Sequence, residues 1–73
     1  MKRKLMRMAA LYVSERAEDA FPDDETMTPE KFMKLTRMEF VYDEIQNGSR
    51  RDARLTIVEE GDVEAVLMFN ISR

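Results

Sequence analysis

The side chains here that could attack an electrophile are hydroxyls: Ser14, Ser49, Ser72, Thr26, Thr28, Thr36, Thr56, Tyr12 and Tyr42. A hydroxyl is a weak nucleophile until a neighbouring base takes its proton. The sequence holds no His and no Cys, which removes the usual base near neutral pH and any thiolate. A Lys or carboxylate base would need a buried cleft, which a chain of 73 residues rarely provides. Thr28 reads as a helix cap and Thr56 as a strand residue. Glu59, Glu60 and Asp62 flank a turn and read as solvated loop rather than as a paired acid and base. No catalytic residue is expected, and the chain does not read as an enzyme.

Ligand-holding chemistry is equally sparse. Without His or Cys, a metal would depend on carboxylates, and Asp19, Asp23, Asp24 and Glu25 are the nearest to a cluster. They lack the alternating spacing and central Gly of a calcium-binding loop. Gly48 and Gly61 are the only glycines, so phosphate-loop and dinucleotide fingerprints are missing. No metal and no cofactor is expected.

Charge is segregated beneath a net value of −3. Lys2, Arg3, Lys4, Arg7 and Arg16 face Glu15 alone in the first sixteen residues, whereas Glu18, Asp19, Asp23, Asp24, Glu25 and Glu30 follow without a base. Arg50, Arg51 and Arg54 make a second basic cluster. Two binding chemistries follow. Asp19, Asp23, Asp24 and Glu25 could imitate a run of phosphates and occupy a basic site on a target protein. Lys2, Arg3, Lys4, Arg7, Arg50, Arg51 and Arg54 could instead contact nucleic-acid phosphates. The sequence pI near 4.9 argues against generic DNA affinity.

The elements that position these residues follow from hydrophobic period. Met6, Ala10, Val13, Ala17 and Ala20 recur at spacings of four and three, with Leu5, Ala9 and Tyr12 beside them, and predict a helix over about 2–20. Phe21-Pro22 stops it. Thr28 as N-cap, Pro29 at the first helical position and Glu30 in the first turn open a second helix. Its stripe of Phe32, Leu35, Met38, Tyr42 and Ile45 extends it to about 46, where Asn47-Gly48 is read as a stop rather than a hairpin.

The period then becomes two. Ala53, Leu55 and Ile57 predict a strand over about 53–58; Val63, Ala65, Leu67, Phe69 and Ile71 predict another over about 62–71. A three-residue loop, Glu59 to Gly61, would keep both apolar sets on one face, with Ile57 opposite Val63. The longer second strand would leave Phe69 to Ile71 unpaired. The expected fold is therefore α+β, two helices followed by a C-terminal antiparallel β-hairpin in a single domain, 1–73, extended to four strands if two copies pair.

A domain this small hides only about 60% of the surface its extended chain exposes, and it has no disulfide or metal staple. Assembly with another chain is the expected remedy. The hairpin's second face carries Val58, Val66 and Met68, with Phe69 near an open edge, and Met8, Met33, Arg37 and Phe40 lie off the main helical stripes. These are the candidate protein-interface residues. The expectation is a noncatalytic protein–protein interaction module, a small regulator, inhibitor or assembly subunit acting as a homodimer or on a larger protein. The alternatives are a small nucleic-acid-binding regulator and a purely structural homo-oligomer. No apolar run resembles a signal peptide or membrane span, so no membrane partner and a cytoplasmic location are expected.

Overall fold

The computed structural model describes residues 1–71, so Ser72 lies outside the described residues. The element order is α1 (Lys2–Ala20), α2 (Pro29–Thr36), β1 (Met38–Asn47), β2 (Arg50–Glu59) and β3 (Asp62–Asn70). The strands form one antiparallel sheet in the order β1-β2-β3. The α+β class and the helices-then-strands order agree with expectation, but the hairpin is a three-stranded meander.

Helix α1 begins and ends where its sequence places it. No Gly or Pro interrupts it, and the Phe21 N–H donates to Ala17 O at 2.9 Å as the chain turns into Pro22. The buried row is Leu5, Ala9, Val13 and Ala17, one step around from the expected stripe, and Ala10 and Ala20 are exposed. A strict four-residue row runs obliquely to the helix axis. It lies against Ala53, Leu55 and Ile57 of β2, each fully buried. Small side chains at Ala9, Ala17 and Ala53 allow helix and sheet to approach closely.

The second helix is a correction. Thr28 does cap it, its Oγ1 accepting from Lys31 N at 3.2 Å, with Pro29 following. It ends at Thr36 because Arg37 turns left-handed (φ 54, ψ 43), its N–H directed at Lys34 O and Met33 O. Residues 38–47 then extend as β1. Phe40, Val41, Tyr42 and Ile45 are the branched and aromatic types a pleated strand packs well. In the strand, Met38, Phe40 and Tyr42 all face the core, opposite Glu59, Ile57 and Leu55. Leu35, assigned to the helical stripe, is 59% exposed. Asn47 pairs with Arg50 across a two-residue turn, Gly48-Ser49. Gly48 has φ +68, a left-handed first position of the kind a type II′ turn requires.

The β2–β3 turn is a second correction. Glu59 pairs with Asp62, so the loop is Glu60-Gly61, both at positive φ (50 and 92), as in a type I′ turn. Val58 then faces Val63 and Ile57 faces Ala65, which leaves Glu64 as an extra residue in a β-bulge. The bulge does what a three-residue loop was expected to do, returning Ala65, Leu67 and Phe69 to the inner face. Val63 goes to the outer face and is 61% exposed. Phe69 and Asn70 are paired with Ala53 and Asp52, and the Ile71 N–H donates to Arg51 O at 2.8 Å. The end of β3 is therefore not an unpaired extension.

Candidate interaction surface

Both helices lie on one face of the sheet. The other face is set by the pleat, because residues two apart point the same way. Four rows cross it: Glu39, Val58 and Val63; Val41, Thr56 and Val66; Asp43, Arg54 and Met68; Ile45, Asp52 and Asn70. Nothing among the described residues covers this face. Val41 is 40%, Val66 49% and Met68 52% exposed. Charged pairs border the apolar patch: Arg54 Nη2 donates to Asp43 Oδ2 at 3.0 Å, and Arg50 Nε lies 3.5 Å from Asp52 Oδ1. The Arg54 Nε–H is shielded and has no acceptor among the described residues.

The interface residues named from sequence separate into groups. Val58, Val66 and Met68 share the open face. Phe69 is on the inner face, where Lys4 Nζ sits 4.5 Å from its ring centroid. Phe40 is also inner-facing and packs against the core from β1, rather than lying beside Met33 on a helix. Met33 packs against the core from α2. Arg37 occupies the left-handed cap, with Nε 3.8 Å from Glu60 Oε1. Met8 is exposed on α1. Val41 and Val63 belong to the surface and were missed. The alternation of Phe40, Val41 and Tyr42 could have placed the first, and the bulge hid the second.

The basic residues converge at one end. Lys4 lies over Phe69, whose strand partner is Ala53, and Lys2 Nζ is 5.3 Å from the Tyr42 ring, so the start of α1 covers the start of β2. Arg50, Arg51 and Arg54 are at that same end, but each meets a carboxylate: Asp52, Glu44 at 3.6 Å, and Asp43. Arg3 and Arg7 are exposed. Asp19 in the last turn of α1, and Asp23, Asp24 and Glu25 after its close, lie at the opposite end. Asp24 Oδ1 accepts from Thr26 N at 2.9 Å and Thr26 Oγ1 at 2.6 Å, and these bonds hold its carboxyl below the ordinary range.

A cavity of about 260 Å³ lies between the end of α1 and the following connection, lined by Ser14, Glu18, Phe21, Asp24, Met27 and Pro29. Ser14 is the one hydroxyl residue of this lining, and no group of three acids is placed to hold a metal ion among the described residues. No family model matches the chain, nor does any curated protein or solved structure. No helix among the described residues is long and apolar enough to cross a membrane.

Proposed function

We propose that this chain is a noncatalytic protein-interaction module, a small assembly or regulatory subunit that binds another protein chain. The observation that carries this reading is the one-sided fold: helices cover one face of the sheet, and an apolar patch rimmed by ion pairs occupies the other. The occupant that fits is a protein surface with an apolar centre and charges of both signs around it, since Asp43, Arg54, Asp52 and Arg50 alternate at the rim. Isolated apolar side chains on a surface need no explanation, but a contiguous patch does.

A photo-reactive residue at Val41 tests this, with Leu35 as an exposed control on α2. In nuclease-treated extract of cells making the chain, position 41 should give a protein adduct of defined mass that position 35 does not. Equal labelling at both positions, or a position-41 adduct that forms only when the nuclease is left out, would overturn the reading.

The second reading is a polyanion held at the basic end, favoured by the convergence of Lys2, Arg3, Lys4 and Arg7 with Arg50 and Arg51. It is the weaker one. The arginines of β2 would have to leave Asp52, Glu44 and Asp43 to reach phosphates.

A further inference from the structure

We propose that the first partner is a second copy of this chain, laid open face to open face about a two-fold axis that crosses the strands. This deepens the interaction reading and rests on it. A sheet is stable when each apolar face is covered by a layer, and this one carries helices on one side only. The Cα envelope is thin, 48 × 23 × 14 Å, with a radius of gyration of 14.0 Å, where a compact chain of this length has about 11 Å. The chain exposes 5510 Å², about 800 Å² more than the roughly 4,700 Å² expected for a compact monomer of its mass. Each partner in a standard-size interface buries about that much.

The charges on the open face indicate what covers it. Main-chain pairing of β1 with β2 runs one step beyond the strands, because the Glu60 N–H donates to Arg37 O at 3.4 Å. Arg37 and Glu60 therefore head the outer columns of β1 and β2, with Gly61 beside them at the head of β3. Their side chains are 81% and 61% exposed, with Arg37 Nε 3.8 Å from Glu60 Oε1. Three rows further along the same columns, Asp43 and Arg54 make a second ion pair. The order of signs is reversed between the two. The first row reads cation on β1 and anion on β2, and the other reads anion on β1 and cation on β2. The Val58 and Thr56 rows lie between them, and Glu39 is their one charge.

This pattern is its own complement when turned end for end. An axis between the Val58 and Thr56 rows lays each strand antiparallel over its own copy. Arg37 then meets Asp43 of the second copy, and Glu60 meets Arg54. Val58 meets Thr56, and Val63 meets Val66. Met68 lands over Gly61, where a Cβ would have nothing within 4 Å. Glu39 faces Val41 on the outermost strand, where its carboxylate keeps water. Neighbouring axes fail on charge. Through the Val58 row, Glu39 would meet its own copy; through the Thr56 row, Glu39 would meet Asp43; along β2, Arg54 would meet its own copy. Packed sheets lie about 10 Å apart and cross by about 30°. That crossing moves the ion pairs sideways by about one strand spacing, which Arg and Glu side chains span.

Sedimentation equilibrium of the full chain tests the proposal, and a mass of twice 8.6 kDa at micromolar concentration is expected. Glu60→Lys and Arg54→Glu should each weaken the dimer about tenfold, because each turns two symmetric contacts repulsive. Combining the two restores opposite signs and should recover most of the lost affinity, and far-UV circular dichroism confirms that each variant is folded. A folded wild-type monomer at about 100 µM would overturn the proposal. So would a dimer indifferent to both single changes, or a double variant no tighter than either. The adduct at position 41 separates this proposal from the reading beneath it. An adduct with the mass of two chains supports self-pairing, whereas a monomer that captures a different protein there overturns self-pairing and leaves the interaction reading standing.

Discussion

Arg16 on α1 donates from Nη1 to Oε2 of Glu64, the extra residue of the β3 bulge, at 2.6 Å. The bulge turns Glu64 toward the helix, and Glu59 approaches the same guanidinium at 3.8 Å. One cation thus ties the end of α1 to both strands of the second hairpin. The guanidinium is held more firmly in its charged form, chiefly by the bond to Glu64.

The two carboxylates respond to pH in opposite senses. Arg16 holds Glu64 below the usual range, whereas sharing a hydrogen bond with Glu64 pushes Glu59 above it. Stability from Glu64 is present above its unfolded pKa and lost as pH falls through the folded one. Glu59 takes up its proton at higher pH when folded, so its charge penalises the fold near neutrality and the penalty fades on acidification. Glu59→Gln should raise the thermal midpoint at pH 7 and leave it nearly unchanged at about pH 3.5. A lower midpoint at both values would contradict this.

Deleting Glu64 should preserve the register. Without the bulge, Val63 still faces Val58 and Ala65 still faces Ile57 through the same two-residue turn. The expected result is a folded chain with the inner face unchanged and the tie to Arg16 lost. Amide exchange would show protection from Leu55 to Ile57 retained; its disappearance would mean that the bulge itself specifies the pairing.

Leu55 is central in β2, fully buried among the residues facing α1. Leu55→Ala should cost about 2–5 kcal/mol, the lost transfer energy plus a cavity that the rigid central strand cannot close. Urea unfolding measures it, and a loss below about 1 kcal/mol would show that α1 settles onto β2.

Arg37 is left-handed without being Gly or Asn, a conformation that costs an ordinary residue about 1–2 kcal/mol. Its ion pair with Glu60 is exposed and weak. Arg37→Gly should stabilise the chain by about 0.5–1 kcal/mol after the entropy of the unfolded glycine is counted. Arg37→Val should destabilise it.

That same residue explains where the sequence misleads. Phe32, Leu35, Met38, Tyr42 and Ile45 have helical spacing, while Met38, Phe40 and Tyr42 have strand spacing, and the two patterns overlap in one segment. The deciding event is the left-handed turn at Arg37, which nothing in an arginine announces. Once β1 is a strand, Asn47-Gly48 is a hairpin turn. Legibility was better where one pattern stood alone: α1 from Lys2 to Ala20, the Thr28-Pro29 start, and the inner face of β2. Of the open face, Val58, Val66 and Met68 were legible from alternation. Val63 was not, because a bulge leaves no mark in period two, and Phe69, expected to lack a strand partner, pairs with Ala53 and turns its ring to the inner face.

Helix α1 has bases in its first turn, Lys2, Arg3 and Lys4, and no base in its last, where Glu18 and Asp19 sit. This order opposes the preference of the helix macrodipole at both ends. Dissolved salt therefore acts on the chain through its first helix. Screening relieves that helix of the clash with its own peptide dipoles, so added salt should firm the chain. Ionic strength thus sets how sturdy the cover over the sheet is.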